Sequence, residues 1–199
     1  MTNRDAILAA VRQKQPASCA LPKVPLFDTD LPPTRAAFIA ALGKMGGVWL
    51  EGAGLADDFD SVIRNRFPSA KNICSAVPEA EGTCRIESID DPRQLDGVDI
   101  GVVRAGFAVA ETGSVWLSEV QYSVNALGYL PQHLVVLLDP ADIVPNLHHA
   151  YQRREFFTAR YAVLMTGPSA TADIEGVLIR GAQGIRSLTV LELPRSSND

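Results

Sequence analysis

The apolar residues of the chain fall into two regimes. Near the start, Ile7, Leu8 and Val11 recur at helical spacing behind Thr2 and Asp5. Those two are spaced as a capping box, with Asp in place of the usual Glu, so a helix is expected over Asn3–Gln13. From Gln15 to Pro33 the periodicity stops. Pro16, Pro22, Pro25, Pro32 and Pro33 exclude a regular element, and the stretch reads as an extended linker. The helix before it is then an arm, docked either on its own domain or on a partner.

Beyond the linker the pattern becomes rhythmic. Thr34 is placed to cap a helix that carries Phe38, Ile39, Leu42 and Met45 and ends at Gly46-Gly47. Val48–Leu50, Asn72–Ala76 and Asp99–Arg104 read as short buried strands, with a helix over Asp57–Phe67 between the first two. Strands that alternate with helices predict an α/β fold, a Rossmann-like, mostly parallel sheet flanked by helices. The apolar runs Ala108–Ala110 and Ser114–Ser118 are separated only by Glu111-Thr112-Gly113, which is hairpin chemistry inserted into that rhythm. Gln132–Asp139 gives the longest strand signal. A helix is expected from about Asp142 to Phe157, with Pro145 in its first turn. A strand over Tyr161–Thr166, a short helix from Ser169 or Thr171 and a last strand over Ser187–Leu193 complete the reading. The expected organisation is an arm and linker (1–33), one α/β domain (34–194) and a polar tail (195–199).

Composition narrows the classes of function. The chain has 199 residues, 47% hydrophobic and 21% charged, as in an ordinary globular protein. Its net charge is −5 and its basic residues are scattered, which argues against nucleic-acid binding. No stretch of about 18 apolar residues is present, so no membrane insertion is expected. The first residues lack a signal-peptide pattern. Cys19, Cys74 and Cys84 have no metal or cluster spacing, which favours free thiols in the cytoplasm and no intrinsic metal.

Two stretches put reactive side chains where strands end. In Glu111-Thr112-Gly113-Ser114, a carboxylate and two hydroxyls share one tight turn. Its glycine lets the backbone approach a ligand, and successive amides can form an anion nest, although a plain hairpin turn would look the same. In Thr166-Gly-Pro-Ser-Ala-Thr-Ala-Asp-Ile-Glu175, a strand gives way to a helix start. Thr166, Gly167, Ser169 and Thr171 suit an anion there. Asp173 and Glu175 either complement the helix dipole or join Glu111 in acid–base work. Gly52-Ala-Gly54 is too short for a dinucleotide loop, since Asp57 stands where the third glycine belongs. His148-His149 point about 100° apart on a helix and make a poor metal pair. His133 reads as a surface or capping residue.

These residues also carry a resemblance. Ala108-Val-Ala-Glu-Thr-Gly-Ser114, Asp142-Ile-Val-Pro145, Thr166–Glu175 and Gly176-Val-Leu-Ile-Arg-Gly-Ala-Gln-Gly184 resemble, in order and spacing, the motifs of the LUD-domain family. The short length and absent cysteine clusters are similar to its lactate utilisation protein C group. The resemblance implies a fold related to the CoA-transferase, ribose-5-phosphate isomerase and formyltetrahydrofolate cyclo-ligase group. It also implies iron–sulfur and cysteine-rich partner proteins, with clusters in the partners and none intrinsic, serving oxidation of L-lactate to pyruvate. The family often carries Arg or Lys where this chain has Ala170. Two functions follow as expectations. One is an accessory component of a lactate-oxidising system that binds a small anionic ligand, with a homo-oligomer among its expected states. The alternative is a self-sufficient isomerase, transferase or cyclo-ligase acting on a phosphorylated, carboxylate or CoA-linked substrate.

Overall fold

The structure, a computed structural model, describes residues 2–51, 59–168, 170–171, 179–180 and 184–195. In chain order it contains α1 (Asn3–Gln13), α2 (Thr34–Lys44), β1 (Val48–Leu50), α3 (Phe59–Arg66), β2 (Ile73–Ser75), β3 (Cys84–Arg85), β4 (Ile100–Arg104) and β5 (Phe107–Val109). β6 (Ser114–Ser118), α4 (Glu119–Tyr122), β7 (His133–Leu138), β8 (Ile143–Val144), α5 (Leu147–Ala150) and α6 (Arg154–Thr158) follow. The chain closes with β9 (Ala162–Met165), β10 (Ala170–Thr171), β11 (Ile179–Arg180) and β12 (Ser187–Glu192).

Six strands form the parallel sheet, in the order β1-β12-β7-β4-β2-β3. Its central strands are apolar on both faces because both faces are covered. Alternate side chains divide between two cores, as the two-residue period of a strand requires. Ile100, Val102, Val135 and Leu137 pack with Phe59 and Ile63 of α3. Val103, Leu134, Val136 and Val190 pack with Phe38 and Leu42 of α2 and with Val115 and Leu117 of β6. The hairpin therefore belongs to a second sheet, ordered β8-β5-β6-β9, that lies with α2 against one face of the first. On its outer side Phe107, Val109 and Trp116 meet Ala150 of α5 and Phe156 of α6. At roughly 1.5–3 kcal/mol for each fully buried aliphatic side chain, this layering is the main source of stability.

Three expectations need correction, and a fourth is narrowed. Thr34 does not cap α2. Pro33 takes the N-cap place, and its carbonyl accepts the Ala37 amide at 3.0 Å. No continuous helix runs from Asp142 to Phe157. Val144, ahead of Pro145, is held extended. It pairs with Val109 as part of β8, and the Asn146 side chain then caps α5. Ala170–Thr171 are paired with Ile179–Arg180 and do not start a helix, and the rest of that expected helix lies outside the described residues. Finally, of the two placements expected for the arm, docking on its own domain finds no support in burial. The α1 capping box forms as expected, yet none of its described residues is buried, and Ile7 and Val11 remain 64% and 55% exposed.

Candidate functional site

β6 begins where β9 ends, and their antiparallel register sets Val115 opposite Met165. The next residue outward on each strand is Ser114 or Thr166, so the two suspected stretches meet. The Thr166 hydroxyl donates to Ser114 Oγ at 2.6 Å, and Ser114 Oγ lies 2.5 Å from Thr112 Oγ1. Ser114 is buried and the two threonines are half-buried. Three linked hydroxyls can relay a proton or present one donor at one end, since each has a single proton to donate and can also accept.

The glycines of both turns have a structural duty. Gly113 and Gly167 adopt φ of +65° and +68°. A Cβ on Gly113 would sit 2.2 Å from Leu42 N, and one on Gly167 would sit 2.3 Å from Met45 O. The close approach read from the sequence as ligand access is thus made to the end of α2. Two amides of the expected nest are also already donated, Glu111 N to Pro145 O and Gly113 N to Val109 O, both at 3.0 Å.

Glu111 faces the other way. It is exposed, and its Oε2 accepts the Leu147 amide at the start of α5 at 3.2 Å. It lines a cavity of about 410 Å³ with Phe27, Leu31, Pro32, Ala37 and His148. That volume suits a small molecule. Three of these residues, Phe27, Leu31 and Pro32, come from the linker, which crosses the cavity as a strap. Asn146, 5% exposed, ties it down by donating from Nδ2 to the carbonyls of Leu26 and Phe27 at 2.8 and 3.2 Å. The Phe27 ring rests on His148 at 4.8 Å, and His149 Nε2 lies 3.8 Å from Asp28. Asn146 escaped the sequence reading. Its signal was an N-cap residue directly after a proline.

Thr166 and Gly167 line a separate cavity of about 270 Å³ with Tyr129, Pro168 and Ile185. Tyr129 Oη contacts Tyr161 Oη, and burial raises the phenol pKa values of both Tyr122 and Tyr129. Tyr122 Oη is buried with no hydrogen-bond partner among the described residues. The hydroxyl chain therefore reaches the second cavity at its Thr166 end, and Glu111 and Thr166 do not share a cavity. Ser169, Asp173, Glu175 and the Gly52-Ala-Gly54 segment lie outside the described residues. Thr171 is placed by its backbone in β10.

Away from these turns, His133 Nδ1 pairs with Ser187 Oγ at 2.7 Å and its ring stacks on Phe67 at 4.6 Å. Burial, aided by Arg186, lowers its pKa. Cys74 sits beside Cys84 on neighbouring strands, and burial pushes its thiol pKa up to about 12. Among the described residues no three His, Cys, Asp or Glu groups converge as metal ligands, and no helix is long and apolar enough to cross a membrane.

A mostly parallel α/β sheet, with a second sheet whose hairpin and strand-end loop share a hydroxyl chain, defines the class of protein. The model of the LUD domain family matches residues 68–191, and the chain belongs to that family. It is 32% identical over 97 residues to Lactate utilization protein C of Bacillus pumilus, covering 45% of this chain and 40% of that protein. It is 30% identical over 96 residues to Lactate utilization protein C of Anoxybacillus flavithermus, covering 48% and 44%. The matched segment spans less than half the length of these relatives. A crystal structure of a DUF162 family protein from Deinococcus radiodurans shares the fold. Its TM-score is 0.56 at 18% identity, covering 80% of this chain and 95% of that one.

Proposed function

We propose that this protein serves lactate utilisation as an accessory component that binds a small anionic ligand. The carrying observation is the segment it shares with proteins named Lactate utilization protein C. The geometry supplies the ligand-binding part of the reading. The family match contains the turn at Glu111-Thr112-Gly113-Ser114 and the loop at Thr166-Gly167, and the hydroxyl chain unites them. In this reading Thr166 donates to Ser114 and Ser114 to Thr112, so that Thr112 donates the one free hydroxyl proton to the anion, and Glu111 holds or moves a proton. Ser169, Thr171, Asp173 and Glu175 belong to the same site by proposal. Oxidation of lactate to pyruvate releases two electrons and two protons. The proposal assigns the electron carriers to iron–sulfur and cysteine-rich partners.

The test is lactate-dependent dye reduction in extracts of the source cell, with the gene deleted and then restored as wild type, Glu111→Gln or Ser114→Ala. Activity lost on deletion and regained with wild type supports the pathway, and failure of the two variants to rescue supports the site. Unchanged activity after deletion overturns the reading.

The Glu111 cavity favours one alternative, a self-sufficient enzyme of isomerase, transferase or cyclo-ligase type. A strapped enclosure with one carboxylate is a common plan for acid–base work. Phosphorylated, carboxylate and CoA-linked ligands would then raise the melting temperature of wild type and not of Glu111→Gln. No shift across such a panel would remove this version.

A further inference from the structure

The order of strands in the parallel sheet turns back on itself between β2 and β4. After β2 the chain leaves for β3 on one side, and after β4 it leaves, through the hairpin, for β7 on the other. In open parallel sheets the loops part at such a point and leave a crevice outside the carboxyl ends of the two strands, where ligands bind. Here the crevice is a cavity of about 230 Å³. Residues 76–78, which follow β2, line it with Arg104 and Ala105 at the end of β4 and Arg195 beyond β12. Neither the hairpin nor the Thr166 loop contributes to it.

Two guanidinium groups on one small cavity are the chemical signal. Arg104 is held in place. It donates from Nη1 to the Leu193 carbonyl at 3.1 Å and from Nη2 to the Glu79 carboxylate, and its side chain is only 18% exposed. Arg195 is fixed by Nε, 3.0 Å from Asp142 Oδ2, and by its backbone amide, 2.7 Å from Asp139 Oδ2. Its terminal nitrogens have no partner among the described residues. A guanidinium has five N–H donors in a planar fork, so most of this donor capacity is unspent. Glu79 and Asp142 offset both charges, which removes the electrostatic gain a polyphosphate would need. A compact monoanion gains from the fork geometry instead, because paired N–H donors match the two oxygens of a carboxylate. Ala76, Val77, Pro78, Ala105 and Val120 give the rest of the wall an alkyl character, broken by the Gln121 amide of α4, whose Oε1 is already taken by Ser118.

We propose that this crevice is a binding site for a short aliphatic monocarboxylate, held by Arg104 and Arg195. The site stands apart from the Glu111 and Thr166 cavities and does not rest on the function proposed above.

The test is an amide and arginine Nε NMR titration of the full chain with sodium propionate, against sodium chloride of equal ionic strength and inorganic phosphate. The expected result is saturable shifts at Val77, Ala105 and the Nε of Arg104 and Arg195 with propionate alone. Arg195→Gln weakens the affinity about tenfold, the equivalent of one lost charge-assisted contact. Arg93→Gln, which removes the same charge from an exposed residue, leaves it unchanged. Arg104→Lys keeps a cation beside Glu79 but loses the fork, and also weakens binding. Shifts that do not saturate, equal affinity in Arg195→Gln, or shifts confined to Thr112–Ser114 and Thr166 overturn the site. Tighter binding of phosphate than of propionate overturns the carboxylate assignment.

Discussion

Gly113 and Gly167 decide whether the candidate site exists at all, because each lets a turn close against α2. An alanine at either position combines a positive φ with a Cβ inside van der Waals contact of helix backbone. The left-handed conformation costs about 1 kcal/mol and overpacking about 1–3 more, so Gly113→Ala should lose roughly 2–4 kcal/mol in denaturant unfolding. An alanine variant as stable as wild type would show that α2 moves aside. His133 carries a second residue-scale consequence. Its folded pKa lies below the usual 6.5, mainly through burial and then Arg186 and Arg66, with Asp99 opposing. As pH falls below 6.5, the unfolded chain takes up the proton first. The stability of neutral His133 is therefore complete above 6.5 and declines as pH falls towards its lower folded value. His133→Asn should flatten the fall in melting temperature across that window. An unchanged slope would assign the effect to another group.

At the scale of elements, strands were legible and helix boundaries less so. Val48–Leu50, Ile100–Val103 and Leu134–Leu138 declare themselves as apolar runs too short for helices, because both faces of a parallel sheet are buried. The two-residue β3 and β8 carry no such run. They are strands only because a neighbour pairs with them, and a local pattern does not report pairing. The Glu111 and Thr166 turns were found as strand-end chemistry. Their meeting through Ser114 depends on the register of β6 against β9, and the strap depends on one asparagine 119 residues from Phe27. The strap yields a prediction that separates its tie from the helix cap. Asn146→Asp keeps an acceptor for the His149 amide but replaces the Nδ2 donor with an oxygen facing two carbonyls. Proteolysis within residues 16–33 should accelerate severalfold while the melting temperature falls less than in Asn146→Ala, which loses the cap as well, worth about 1 kcal/mol. Equal proteolysis in wild type and Asn146→Asp would mean that the aromatic contact of Phe27 with His148 holds the strap alone.

Across the whole molecule, the chain divides by what it covers. The layered core between α3 and the outer face of the second sheet is complete without α1, whose apolar residues Ile7, Leu8 and Val11 are left partly or largely exposed. The linker is different, because Phe27, Leu31 and Pro32 line the Glu111 cavity and Asn146 ties it there. The arm and the strap are joined by residues 14–26, so whether holding α1 bears on access to Glu111 is open to test. Two truncations separate their roles. A chain starting at residue 24 keeps the strap and loses only exposed side chains. Its melting temperature should stay within about 2 °C of wild type, as surface changes of up to about 0.5 kcal/mol allow. A chain starting at residue 34 also loses the Asn146 ties and the apolar cover, so it should melt lower and bind a hydrophobic dye at the exposed cavity. If the first truncation alone lowers the melting temperature by several degrees at a fixed protein concentration, and the loss grows on dilution of the intact protein, then α1 is docked on a second copy. The arm would then be a subunit contact whose engagement is coupled to the strap over Glu111.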